Sequence, residues 1–350
     1  MQAFAADFRI LAQATLLTLA LAIGSTPAHA GLFDLLKPTE KPLVLTEQSD
    51  FAAAMSQTAQ KPVPQLTLRD KTPPRLGISS FEVRYITDNS VSQTKRSIGI
   101  GQTREARASV QYQLEAPGPD VYQALTDGMQ AQLRELLTAR GYQLLSNEEM
   151  LADAEFAAQV AATPRAAQRE PGFFSKSGEV LTFGSGTVDG GRFMMGMSDI
   201  KRAERLGPDV GFLKIILVVD FASLQEMGLG ERISAGADAG VKAKVGLAIA
   251  TEPAGNSPSQ LHMFTSLGGV PVPLMRTIYL EQPIAKSVTA MGESTSEAAI
   301  GFLKALAGGG SKGARYKVTP ADDYAEQMAA GLKLVARMLA EALPMRASAK

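Results

Sequence analysis

The sequence predicts an α+β fold of the mixed α/β kind. A sheet of mainly antiparallel strands is expected, flanked by amphipathic helices and carrying a long Gly/Met-rich irregular insertion. Three observations predict it. Residues 119–160 read as a helix, a short buried strand and a second capped helix. Residues 75–86 and 241–249 alternate apolar and polar positions with the period of two that a strand imposes. Residues 319–343 carry one apolar stripe at the helical period.

Taken in order, residues 1–30 have the form of a secretory signal peptide. Arg9 closes a short polar start, Ile10 to Ile23 is apolar, and Ala28-His29-Ala30 is an Ala-x-Ala cleavage site. The apolar run is shorter than the roughly 20 residues a spanning helix needs. The mature chain is therefore expected to begin near Gly31, in the periplasm or alternatively outside the cell. Residues 31–74 are expected to form an extended arm punctuated by proline, with one short helix near Phe51 to Met55. Its apolar start makes Leu32 and Phe33 candidate contacts for a partner, against the plainer reading of a strap over the chain's own core. Residues 75–350 form the main domain, with the irregular insertion at 161–210.

Within that domain Leu76 and Ile78 alternate, then Phe81, Val83 and Tyr85 alternate on the opposite parity, which predicts a strand with a bulge at Ser79-Ser80. Val110, Tyr112 and Leu114 mark another strand, after a polar connection from Asn89 to Glu105. Tyr122, Leu125, Met129, Leu133, Leu136 and Leu137 form one helical stripe. Pro119 and Asp120 suit its start, with Asp120 as a cap, and Arg140-Gly141 suit its end. Ser146 with Glu149 makes a capping box for the next helix, in which Met150, Leu151, Ala154 and Ala158 face inward. Gly211 to Phe221 is a buried strand. Leu261 to Thr265 and Arg276 to Leu280 extend the antiparallel set. Ser294 with Glu297 opens a helix that Gly308-Gly309-Gly310 ends. Thr319, Pro320 and Asp322 open the last helix, with Tyr324, Met328, Leu332, Val335, Leu339 and Leu343 inward.

The chemistry is bounded mainly by what the sequence lacks. It has no cysteine and no tryptophan, and of its two histidines only His262 lies beyond residue 30. Disulfides, thiolate nucleophiles, zinc built on cysteines or several histidines, and a lipid anchor on cysteine are excluded. No Gly-x-Ser-x-Gly elbow accompanies His262. The 35 basic residues balance the 35 acidic ones without a basic block, which argues against nucleic acid. The Gly-rich runs at 184–190 and 308–313 match neither the dinucleotide fingerprint nor a P-loop. No catalytic residue, metal site or cofactor is implied. Met194, Met195 and Met197 offer an adaptable apolar surface for a partner or small ligand, and Asp220, at the end of the buried strand, is the acid whose burial would matter. A carboxylate-dependent hydrolase built around the 161–208 loop is the rival to a binding protein.

The succession RLGISSFEV, VYQALTDGMQAQLRELL, RGYQLL and SNEEMLAD resembles the α/β module of the curli-secretion-channel lipoprotein family. It is similar also to the amino-terminal domain of the Tol–Pal translocation periplasmic protein. The resemblance covers about half of the mature chain and implies a mixed sheet flanked by helices. It further implies a non-catalytic role in envelope assembly or transport, through envelope partners or self-association. The chain departs from these families in lacking the lipobox cysteine, an evident membrane-hairpin pair and a propeller repeat, so no functional residue transfers.

Overall fold

The computed structural model describes residues 43–58, 72–99, 102–162, 168–171, 179–184, 194–226, 241–249, 259–291 and 314–346. The first seven strands in chain order are β1 (Leu43–Leu45), β2 (Arg75–Ile86), β3 (Asp88–Gly99), β4 (Gln102–Leu114), β5 (Gln143–Leu144), β6 (Gln168–Pro171) and β7 (Glu179–Gly184). Then come β8 (Val210–Glu226), β9 (Val241–Ile249), β10 (Gln260–Thr265), β11 (Gly268–Pro273), β12 (Ile278–Leu280), β13 (Ala285–Met291) and β14 (Ala314–Pro320). The helices are α1 (Phe51–Thr58), α2 (Pro119–Ala139), α3 (Asn147–Leu151), α4 (Ala154–Ala162), α5 (Met194–Leu206) and α6 (Tyr324–Ala340).

Strand β8 is the spine of the larger sheet. Along one edge it runs parallel to β2, with Val83 opposite Leu217. Along the other it pairs first with β10, from Phe212 to Ile216, and then with β9, from Val219 onward. The order across this sheet is β1-β12-β9-β8-β2-β7-β6, and the smaller sheet runs β13-β14-β4-β3. Both sheets are mixed, which corrects the expectation of a mainly antiparallel set. The pairs β2–β8, β2–β5, β1–β12 and β4–β14 are all parallel. Parallel neighbours need a crossover between them, and α2 lies in the crossover from β2 to β5. The predicted bulge is present, as a register shift between Ile78 and Ser80. The segment expected to be a polar connection is instead strand β3, paired with β4 from Asp88 to Gly99.

Helices α2 and α6 lie side by side over one face of the sheet. Their inward residues Tyr122, Leu125, Met129, Leu133 and Leu137, and Tyr324, Met328, Leu332, Val335 and Leu339, are all buried. They meet Phe81, Val83, Tyr85, Leu213, Ile215 and Leu217 from the strands, and Tyr112 and Tyr316 of the smaller sheet, whose rings stack 5.0 Å apart. Burying an aliphatic or aromatic side chain of this size contributes about 1.5–3 kcal/mol. From the arm, Leu45, Ala54 and Met55 join the same core.

The helix ends follow the sequence with three exceptions, the first being that Thr319 and Pro320, expected to open the last helix, end β14, and α6 begins at Tyr324 with Asp323 as its N-cap. Gly141 takes φ +89°, the left-handed conformation expected past the end of α2. Arg140 seals that end by donating to the Leu343 carbonyl and to Glu341. The capping box is complete: the Glu149 N–H donates to Ser146 Oγ and the Ser146 N–H to Glu149 Oε2. Asp120, however, sits within the first turn of α2 and makes no capping bond, the N-cap being Gly118. Leu151, Ala154 and Ala158 face solvent, correcting their inward assignment. Asp153 accepts from the Phe156 N–H and restarts the helix as α4, so the inward phase moves to Phe156 and Val160.

The stretch 161–210 was expected to be irregular. Its described parts are the end of α4, β6, β7, α5 and the turn into β8. Helix α5 escaped the periodicity because part of its inward face is charged. The helix predicted after Ser294 and the turn after Glu252 lie outside the described residues.

Candidate functional site

An open groove runs along the outer side of the α2–α6 pair. The two helices are parallel: Tyr122 meets Tyr324 near their starts, and Arg140 meets Glu341 at their ends. Each helix spends its large apolar residues on the sheet, and small residues remain along the outer seam. Ala124, Gly128, Ala325, Ala329 and Ala330 are exposed there. Between these walls the floor is Leu125, Met129 and Leu332, and the volume is about 800 Å³. Asp120 and Lys333 are the charged residues of the lining, with Gln132 as its amide. Among the described residues no carboxylate pair and no histidine lines the groove, and what the lining presents is shape and apolar surface.

The strongest electrostatics lie elsewhere, on the opposite face of the sheet. Asp199 and Arg202, one turn apart on α5, are both buried, and Lys214 projects from β8 into the same layer. Arg202 Nη1 lies 2.5 Å from Asp199 Oδ1, Lys214 Nζ 3.3 Å from Oδ2, and Ser79 Oγ donates to Oδ2 at 3.0 Å. The Arg202 guanidinium also stacks over Phe156, 4.4 Å from the ring centre, and over Phe212 at 5.2 Å. Burial raises the Asp199 pKa above the ordinary carboxyl value, although Lys214, Arg202 and the Ser79 hydroxyl act in the opposite sense. Asp153 at the cluster's edge is also penalised by burial, but its bonds to Arg205 and the Phe156 N–H win and lower its pKa. Ser79 and Lys214 converge here on Asp199 Oδ2. Both are buried and turned to the same carboxylate, which makes a structural tie between helix and sheet.

Asp220, the acid singled out in the sequence, is buried where β8 meets the start of β3. It accepts from Asn89 Nδ2 at 2.5 Å and from the Ala222 N–H at 3.0 Å. Burial pushes its carboxyl up to about 7, against those bonds. The void beside it, lined by Tyr85, Tyr122 and Tyr324, admits no water. Asp220 and Asp199 thus stand in separate sealed sites, neither of them in a cleft. His262 is half-buried and bonded to Gln260 Oε1, and its pKa is lowered by burial and by Lys214. Among the described residues no three His, Asp or Glu side chains converge on a metal-sized site.

The predicted contact residues fall as follows. Leu32 and Phe33 lie outside the described residues. Met194, Met195 and Met197 belong to the first turn of α5, which is regular helix and not a loop. The groove itself was missed, although one signal was present: α2 and α6 both carry Ala or Gly at i, i+4 spacing opposite their apolar stripes. The Asp199–Arg202–Lys214 cluster had no sequence signal beyond a lysine interrupting a buried strand. Among the described residues no helix is long and apolar enough to cross a membrane. No protein-family model, curated protein or solved structure matches this chain.

Proposed function

We propose that this is a non-catalytic protein of the cell envelope that works by holding another polypeptide in the α2–α6 groove. The observation that carries the proposal is the groove itself: an open apolar channel of about 800 Å³ between two helices whose outward residues are small. Helix-in-groove recognition uses such a surface, with the anchors of a partner helix lying between two helical walls. The buried acids weigh against the rival hydrolase, because Asp199 and Asp220 are each enclosed by protein partners and neither borders the groove. The signal-like residues 1–30 and the module resembling envelope-assembly families support a periplasmic address.

Two measurements test this. Intact mass of the protein purified from the periplasmic fraction is expected to correspond to a chain starting at Gly31. Ala124→Arg and Ala329→Arg, both at exposed positions, are expected to fill the groove without lowering the melting temperature. Cells carrying either variant should then leak a periplasmic marker to the same extent as cells lacking the protein. A deletion phenotype fully complemented by both variants would overturn the proposal.

A further inference from the structure

We infer that the groove closes against the same face of a second copy of this chain, the two related by a two-fold axis crossing both helices. The inference rests on the protein-binding reading of the groove and names the partner.

Gly128 is the first observation. It sits in the interior of α2, where glycine is less favourable than alanine. Its φ is not positive, so no turn requires it. A Cβ added there would meet nothing within 4 Å. By contrast Gly331, on the inward side of α6, leaves only 2.4 Å between such a Cβ and Leu247 Cδ2. Packing inside the chain therefore accounts for Gly331 and not for Gly128. A backbone approaching from outside accounts for Gly128, since small residues let two helices come close.

The placement of charge is the second. Because α2 and α6 are parallel, Asp120 and Ala325 share one end of the groove, and Gln132 and Lys333 share the other. From Asp120 to Gln132 the helix rises roughly 18 Å. A surface that pairs with itself about a two-fold axis must be self-complementary. The axis proposed reverses the second copy, so the Asp120 end of each groove lies over the Lys333 end of the other. It also sets the two helix pairs antiparallel, opposing dipoles that are aligned within each copy. A groove of one sign, or one with both charges at the same end, would not pair in this way.

The test is sedimentation velocity on purified residues 31–350 across a hundredfold concentration range. Wild type is expected to form a dimer. Gly128→Arg with Ala329→Arg should give a folded monomer with the circular-dichroism spectrum of the wild type. Asp120→Lys and Lys333→Asp should each weaken dimerisation about tenfold, and the double charge swap should restore it. That rescue arises only if the two charges meet between copies, because within one copy they are at opposite ends. A wild-type monomer at all concentrations, or a dimer indifferent to the arginines and the swap, overturns the inference. If the chain is monomeric while Ala329→Arg still abolishes envelope function, the groove binds a different polypeptide, and only the self-pairing fails.

Discussion

Replacing Asp199 with asparagine tests whether the sealed ionic cluster holds α5 to the sheet. Asparagine keeps the shape and an acceptor for the Ser79 hydroxyl, so the change isolates the charge. Arg202 is 0% exposed and Lys214 6% exposed, and neither side chain can swing to water. Removing one partner of a buried ion pair costs about 3–5 kcal/mol, because the remaining charge stays desolvated. Asp153, 3.8 Å from Arg202 Nε, retains part of the compensation for the guanidinium. The expected loss is therefore toward the lower part of that range, about 3–4 kcal/mol. Urea unfolding with linear extrapolation at pH 7 reads the loss. Adding Lys214→Met should recover more than half of the Asp199→Asn deficit. A deficit below about 1 kcal/mol at pH 7, or one indifferent to Lys214→Met, would refute the assignment of this cluster as a tie.

Asp220 predicts a pH dependence of definite sign. Its folded pKa, raised to about 7, lies above the unfolded value, so the native chain keeps a proton the unfolded chain gives up. The stabilisation is complete below the unfolded pKa and is lost as pH rises toward 7. The slope is up to about 1.4 kcal/mol per unit. Asp220→Asn should remove that slope, so the stability difference moves in the variant's favour between pH 4 and 7; a flat difference across that window counts against it. Gly331→Ala gains helix propensity but drives a Cβ to 2.4 Å from the fully buried Leu247. Overpacking costs about 1–3 kcal/mol, so the melting temperature should fall, whereas Gly128→Ala under dimer-free conditions should raise it. Equal shifts from the two substitutions would mean that their surroundings do not differ as described.

The stripes of α2 and α6 and the β2 bulge were legible because a single physical demand, an apolar face toward the core, wrote them into the sequence. The capping box and Gly141 were legible because they satisfy local backbone needs. Where two demands competed, the pattern blurred. Helix α5 turns Asp199 and Arg202 inward, so its buried face reads as polar. At α3–α4 the cap at Asp153 resets the helical phase, which left Leu151 outside. Parallel pairing was invisible because strand direction depends on connections far along the chain, and the alternation of β2 is the same in either sense. The groove is defined by what α2 and α6 do not carry, and small residues on an outward face resemble ordinary surface until both helices are placed.

The parallel pairing of β2 with β8 also sets a timetable. Arg75 faces Val210, and at a synthesis rate of about 5–20 residues per second the second strand follows the first by roughly 7 to 27 s. For that interval Phe81, Val83 and Tyr85 have been made, but the strand that completes their sheet has not. Pairings over such separations are slow and prone to aggregation. For more than a third of its synthesis the chain therefore carries β2 without the strand that pairs with it, and a chaperone holding β2 through that interval would protect the open seam.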